Sequence, residues 1–133
     1  MRFKVTIVST DKPPESNVNE ELLWLGGSLG LFGSRDKDKS CFRIFIEMLK
    51  TARANRPISS DDIAERLGLT RGTVIHHINK LIDSGIVVNY DNRYTLKVQT
   101  LAKMIEEMQV DLNKRMQELH AIARDIDNKL KLN

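Results

Sequence analysis

The sequence has little with which to build a disulfide-held or metal-held fold. Its single cysteine, Cys41, excludes an internal disulfide framework and any cysteine-based zinc cluster. No apolar run is long enough to span a bilayer. The longest, residues 22–32, is too short and is interrupted by glycines. The N-terminus does not have the basic-then-apolar layout of a signal peptide. Charge of one sign is not in large excess: 21 basic and 18 acidic residues leave a net of +3. That argues against a protein that coats DNA by charge alone, because sequence-independent affinity scales with the phosphates neutralised. Catalytic signatures are missing too. There is no Ser-His-Asp or Cys-His context, no paired carboxylates in a plausible pocket and no nucleotide fingerprint. Gly26-Gly27-Ser28-Leu29-Gly30 is not followed by Gly-Lys-Ser/Thr, so it reads as a tight hinge and not a phosphate loop. These absences predict a cytoplasmic, non-enzymatic protein with no cofactor and no membrane contact.

What is present is ordinary globular composition. The 133 residues are 41% hydrophobic and 29% charged, enough for one cored domain or a small domain with an appendage. The positive charge is not evenly spread. Residues 1–34 hold 3 basic and 4 acidic side chains, residues 35–97 hold 12 and 8, and residues 98–133 hold 6 and 6. The excess lies wholly in the middle segment, which points that segment towards a polyanion.

The same three segments differ in pattern. In residues 1–34, Phe3, Val5 and Ile7 alternate with polar residues and predict a half-buried strand, ended by Pro13 and Pro14. Leu22, Leu25, Leu29 and Phe32 then fall at helical spacing, but Gly26, Gly27, Gly30 and Gly33 predict a broken helix that packs on something else. Trp24, with Leu22 and Phe32, is read as core or dimer packing in preference to an effector pocket.

Residues 35–97 carry the clearest pattern. Phe42, Phe45, Ile46 and Leu49 define one apolar face of a helix over about residues 38–54, and Cys41, Ile44 and Met48 add a second edge. A helix with two apolar edges is expected to sit between neighbours. The charges of residues 35–39 read as its solvated start. Arg53 and Arg56, near its end, stay open between a phosphate contact and solvation. Ser59, three residues before Asp62, predicts an N-cap for a short helix over residues 60–67 that Gly68 closes. Thr70 is a good N-cap for the next helix, residues 71–84, which Gly85 ends. Two strand-like runs, residues 86–90 and 93–96, flank Asp91-Asn92 as a two-residue turn. Helix, turn, helix and hairpin together predict a mostly α fold with a small β-hairpin wing, a winged helix-turn-helix.

In residues 98–133, Val98, Leu101, Ile105, Met108, Leu112, Leu119, Ile122 and Ile126 follow a 3-4 repeat that slips only at Arg115 and Lys129. This predicts one long, coiled-coil-like dimerisation helix. Met116, with Ala102, Gln109, Ala123 and Leu130, widens the stripe, so the helix is expected to meet both its own domain and a partner subunit. The expected dimer interface is Leu101, Ile105, Met108, Leu112, Met116, Leu119, Ile122 and Ile126. Asp111, Glu118 and Asp125 fall at g positions, where an antiparallel pair would set like charges against each other; this favours parallel or bundled pairing.

With Val74, Ile78 and Leu81 on the inward face of the helix over residues 71–84, Gly72, His76, Asn79 and Asp83 point outward. Thr70, Arg71 and Thr73 lie at its exposed N-terminal turn. Side chains so placed read base edges when a helix lies in a major groove. Lys80 and Arg93 are expected at phosphates, with the short wing tip limiting reach. His76 and His77 diverge by 100° and are unsuited to share one metal. His76 reads as DNA-facing or solvated and His77 as packing.

The run from Ile63 to Val87 resembles the helix-turn-helix core of ArsR-type winged-helix transcription regulators. Their recognition helix often reads S-x-x-T-V-S-x-H-L-x-x-L-x-x-A-G-L-V, matched here by Thr70, Thr73-Val74, His77-Ile78, Leu81 and Gly85-Ile86-Val87. Ile75 stands where that pattern often has Ser. Residues 30–38 also resemble a euryarchaeal group of such regulators, to which the archaellum-operon regulator belongs. The resemblance implies a homodimer that binds a pseudo-palindromic site in double-stranded DNA and regulates transcription. It leaves room for an effector or a contact with the transcription machinery. Metal-sensing members carry Cys-x-Cys, absent here, or Asp and His ligands on the last helix, where His120 stands without a second histidine. Two alternatives remain: a winged helix used as a protein-interaction module, and a nonspecific architectural DNA binder. The polar, basic outward surface of residues 71–80 argues against the first and the small net charge against the second.

Overall fold

The computed structural model describes residues 5–9, 11–12, 17–32 and 39–133. Phe3, Pro13, Pro14, Gly33 and the charged residues 35–38, assigned above to a strand, its end, a broken helix and a solvated helix start, lie outside the described residues. The elements are α1 (Val18–Ser28), α2 (Ser40–Ala54), β1 (Ile58–Ser59), α3 (Ser60–Leu67), α4 (Arg71–Asp83), β2 (Val87–Tyr90), β3 (Arg93–Leu96) and α5 (Leu101–Leu130). Contacts divide the chain into two units, Met1–Gln99 and Thr100–Asn133.

In the first unit, α2, α3 and α4 pack round a common core beside a three-stranded antiparallel sheet of order β1-β3-β2. Ile44, Phe45 and Met48 of α2, Ile63 of α3, and Val74, Ile78 and Leu81 of α4 have no solvent exposure. Ile86, Val87, Tyr94 and Leu96 complete the core from the sheet side. The expected double burial of α2 is present, but the two edges trade places. Cys41, Ile44, Phe45 and Met48 are buried, whereas Phe42, Ile46 and Leu49 are only half-buried. The buried edge continues to Thr51, whose hydroxyl donates to the Met48 carbonyl at 2.6 Å and lies 2.9 Å from the Thr95 hydroxyl on β3. Central α2 therefore grips both the helices and the sheet.

The hairpin has the expected register, with Val87 opposite Leu96 and Tyr90 opposite Arg93. Asp91 and Asn92 both take positive φ, 53° and 65°. That is the backbone of a two-residue turn whose twist matches its strands. The Asn89 side chain accepts from the Asn92 N–H at 2.8 Å and supports the turn. Strand β1 was not anticipated. Its two residues pair Ile58 with Tyr94 and Ser59 with Arg93, and two residues are too few for alternation to reveal.

The N-terminal expectations need correction. Residues 5–9 form no strand, and Ile7 and Val8 are exposed. Alternation favours a strand only where a sheet edge receives it. Here the Val8 N–H donates to the Ser28 carbonyl at 2.7 Å instead. Helix α1 passes Gly26 and Gly27 without a break, but it ends at Ser28, before Leu29 and Phe32 of the expected run. It begins at Asn17, whose side chain accepts from the N–H groups of Asn19 and Glu20. Glu20 and Glu21 in the first turn suit the positive end of the helix dipole. It runs through Gly26 and Gly27, and the turn ends at Gly30 with φ 72°. The reason for Gly26 is close packing. A Cβ at that position would lie 1.8 Å from the Phe32 ring. Phe32 in turn stands edge-on to Phe42 and Phe45, with centroids 5.3 and 6.0 Å away.

The second unit is essentially one helix. Thr100 caps α5, accepting from the Lys103 N–H at 3.1 Å. Its 30 residues extend about 45 Å at about 1.5 Å each. It starts three residues later than the 3-4 repeat suggests. Met104 is its buried residue, while Ile105, Met116, Leu119, Ile122, Ile126 and Leu130 are exposed. Leu101, Met108 and Leu112 are half-buried. No helix among the described residues is long and apolar enough to cross a membrane.

The packing at Gly26 generates a paired prediction. Gly26→Ala should lower stability by about 1–3 kcal/mol, the usual penalty of overpacking. Gly27→Ala, whose Cβ meets nothing within 4 Å, should be neutral or stabilising by up to about 1 kcal/mol, since Ala is the better helix former. Urea unfolding of the two variants checks this; equal effects would contradict the packing.

Candidate nucleic-acid interface

The turn from α3 to α4 sets the geometry of the site. Ser59 opens α3 by accepting from the Asp62 N–H at 3.1 Å. Gly68, at φ 66°, closes it in the left-handed region that favours glycine. The Leu69 N–H returns to the Ala64 carbonyl at 3.0 Å, and the Arg43 guanidinium of α2 donates to the Leu67 carbonyl. Thr70 then starts α4, accepting from the Thr73 N–H at 3.1 Å and donating from its hydroxyl to that of Thr73 at 2.9 Å. Both predicted caps are present. Thr70 fixes where α4 begins, and Gly68 turns the chain into it.

The rotation of α4 about its axis follows from its core face. Val74, Ile78 and Leu81 are fully buried. Arg71, Gly72, His76, Asn79 and Asp83 are exposed, and Thr73 and Ile75 are half-buried. The structure therefore brings Thr70, Arg71, Gly72, Thr73, His76 and Asn79 onto one end and the outward side of α4. Arg71 is not wholly free there. Its Nε lies 3.6 Å from an Asp61 carboxylate oxygen, and both side chains are about three-quarters exposed. So exposed a pair is weak and can be exchanged for another anion. The His76 and His77 rings meet edge-on with centroids 5.3 Å apart.

Two expected site residues sit differently. The Lys80 ammonium donates to the Leu31 carbonyl at 3.1 Å. It is thereby tied to the segment after α1 and does not extend from the outward row. Its long stem makes the diversion easy, and the Leu31 carbonyl offers a fixed acceptor. Arg93 is, as expected, the first residue of β3 beside the hairpin tip, paired with Tyr90 on one side and Ser59 on the other. Its side chain lines a cleft bounded by α2, β1 and α3. Tyr90, 60% exposed beside the tip, was not singled out in the sequence. Its place between Asn89 and Asp91, outside the core alternation of β2, is the signal that could have marked it.

Residues 46–88 match the family described as winged helix-turn-helix DNA-binding. The match runs from the middle of α2 into β2 and takes in all of α3 and α4. It covers less than half of the chain. No curated protein and no solved structure matched the chain. Matched segment and fold agree: the chain carries a winged helix-turn-helix DNA-binding domain, mostly helical, with a three-stranded antiparallel sheet supporting the wing.

Because Thr70 satisfies the first turn of α4, Thr70→Ala should cost about 1 kcal/mol of stability. Thr70→Ser, which keeps the accepting oxygen, should restore most of it. Thermal melts of the two variants would decide; a Thr70→Ser variant as unstable as Thr70→Ala would mean the cap contributes nothing.

Proposed function

We propose that this chain is a homodimeric, sequence-specific regulator of transcription of ArsR-like type. Helix α4 lies in the major groove of double-stranded DNA, and the β2–β3 hairpin lies along the flanking backbone. The observation that carries this is the division of α4. One side, Val74, Ile78 and Leu81, is lost entirely to the core, while the other presents Arg71, His76 and Asn79 to solvent. Those side chains suit base edges: Arg for guanine, Asn for adenine. Thr73 at the helix start suits phosphate. A protein-docking surface would be more apolar than this.

The dimer is supported by the exposed seam on α5. Leu119 and Ile122 are more than 60% exposed. Together with Ile105, Met116 and Ile126 they make an apolar stripe of a length that isolated helices do not leave in water. A second copy of the same stripe covers it. The argument for parallel pairing is weaker than the g-position charges suggested. Glu118 is held by Arg115 at 3.1 Å and Asp125 by Lys129 at 2.9 Å, each within the same helix. Their charge is partly offset before any partner arrives, and the like-charge cost of an antiparallel pair falls mainly on Asp111.

The test is selection of bound duplexes from a random pool at about 0.15 M salt, where exposed charges are screened beyond about 8 Å. A two-fold-symmetric motif with half-sites about one helical turn apart is expected. Uniform or absent binding would remove sequence-specific regulation. On the selected site, Arg71→Ala and His76→Ala should each weaken binding by about 1–3 kcal/mol and leave the fold intact. Gly72→Ala separates binding from folding. A Cβ there meets nothing within 4 Å, so the variant should fold as well or better, yet bind more weakly if the helix start approaches the backbone.

For the dimer, Leu119→Glu combined with Ile122→Glu should give a monomer by sedimentation. A dimer that survives both charges would remove α5 as the interface.

A further inference from the structure

The first unit contains a cleft of about 630 Å³ between α2, β1, α3 and β3. Its size falls within the range of small-molecule sites. Four cationic side chains line it, Lys50, Arg56, Arg66 and Arg93, over an apolar floor that includes Ile58. The buried carboxylate of Glu47 is also in its wall. That charge is already matched: Lys50 lies 3.2 Å and Arg66 3.6 Å from its two oxygens. Glu47 therefore orients two of the cations instead of needing a third. Arg56 and Arg93 are exposed and have no ion-pair partner among the described residues. Asp62, also in the lining, does not pair with either. Two guanidiniums without counter-charge, opening on a concave site, are suited to bind anionic oxygens through paired N–H donors.

We propose that this cleft binds a small phosphorylated anion, with the guanidiniums of Arg56 and Arg93 gripping the phosphoryl group and the floor at Ile58 receiving the organic part. A free small molecule fits better than the backbone of DNA, because the site is concave and has an apolar floor, whereas backbone contacts are made by projecting side chains. Its occupant would act beside the wing, since Arg93 begins β3.

The test is calorimetric titration of the full chain with inorganic pyrophosphate at constant ionic strength and without DNA. The wild type should show saturable binding. Arg56→Gln should weaken it about tenfold, the consequence of losing a charge-assisted hydrogen bond. Arg53→Gln, an exposed neighbour outside the cleft lining, should leave it unchanged. No saturation, or equal losses in both variants, would overturn the proposal, because the heat would then report general charge. The salt dependence of DNA binding supplies the second arm. If Arg56→Gln lowers the slope by about 1, the guanidinium grips the DNA backbone and the free-anion assignment fails. An unchanged slope alongside weaker pyrophosphate binding upholds it. Because the titration contains no DNA, its result stands whether or not the chain regulates transcription.

Discussion

The angular setting of α4 governs most of what this domain can do. A helix of 13 residues presents only one face to its core, and here Val74, Ile78 and Leu81 leave no freedom in that choice. Each is fully buried against α2, α3 and the sheet. Rotating the helix by a single residue, 100°, would expose one of these side chains and bury a polar one. Full burial of a Val, Ile or Leu is worth roughly 1.5–3 kcal/mol, and burying an unpaired polar group costs about as much again. The cap at Thr70 fixes where the helix begins along its axis, as the core fixes it in rotation. The outward position of Arg71, His76 and Asn79 is therefore a by-product of packing, reached before any DNA is present.

Much of the fold was legible because its signals are local. Ser59, Gly68 and Thr70 mark helix ends by chemistry that acts within four residues. The Asp91-Asn92 turn does the same for the hairpin. The inward face of α4 was legible because three apolar residues at helical spacing admit one solution. The failures share a different cause. The strand expected from the alternation of Phe3, Val5 and Ile7, and the helix weakening expected at Gly26 and Gly27, rest on local propensity, whereas distant partners decide the outcome at the described residues. No sheet edge receives Val5 or Ile7, while Phe32, held by two further phenylalanines, needs the space that Gly26 leaves. Strand β1 was invisible because its pairing with β3 spans more than thirty residues of sequence and its own length gives no pattern.

The placement of the candidate site residues was legible to a similar degree. Residue types and spacing placed Thr70, Arg71, Gly72, Thr73, His76 and Asn79 on or beside one surface, and they are found there. Lys80 and Arg93 show the limit of such inference. Spacing gives the direction in which a side chain leaves the backbone, not where a long one ends. Lys80 turns to the Leu31 carbonyl. Arg93 joins a cleft whose other walls are up to 46 residues earlier in the chain. A glutamate between Ile46 and Met48 was the clue to that cleft, since a charge on a buried helix edge needs cations nearby.

The contact between Gly26 and Phe32 also constrains how such a sequence can change over generations. The ring occupies the volume that a side chain at position 26 would need. Enlarging one residue is tolerable only if the other shrinks, and a smaller residue at 32 would in turn loosen its hold on Phe42 and Phe45. Substitution one step at a time must pass through an overpacked or a hollow intermediate. Positions 26 and 32 should therefore drift slowly, and where they do differ among descendants of this chain, they should differ together.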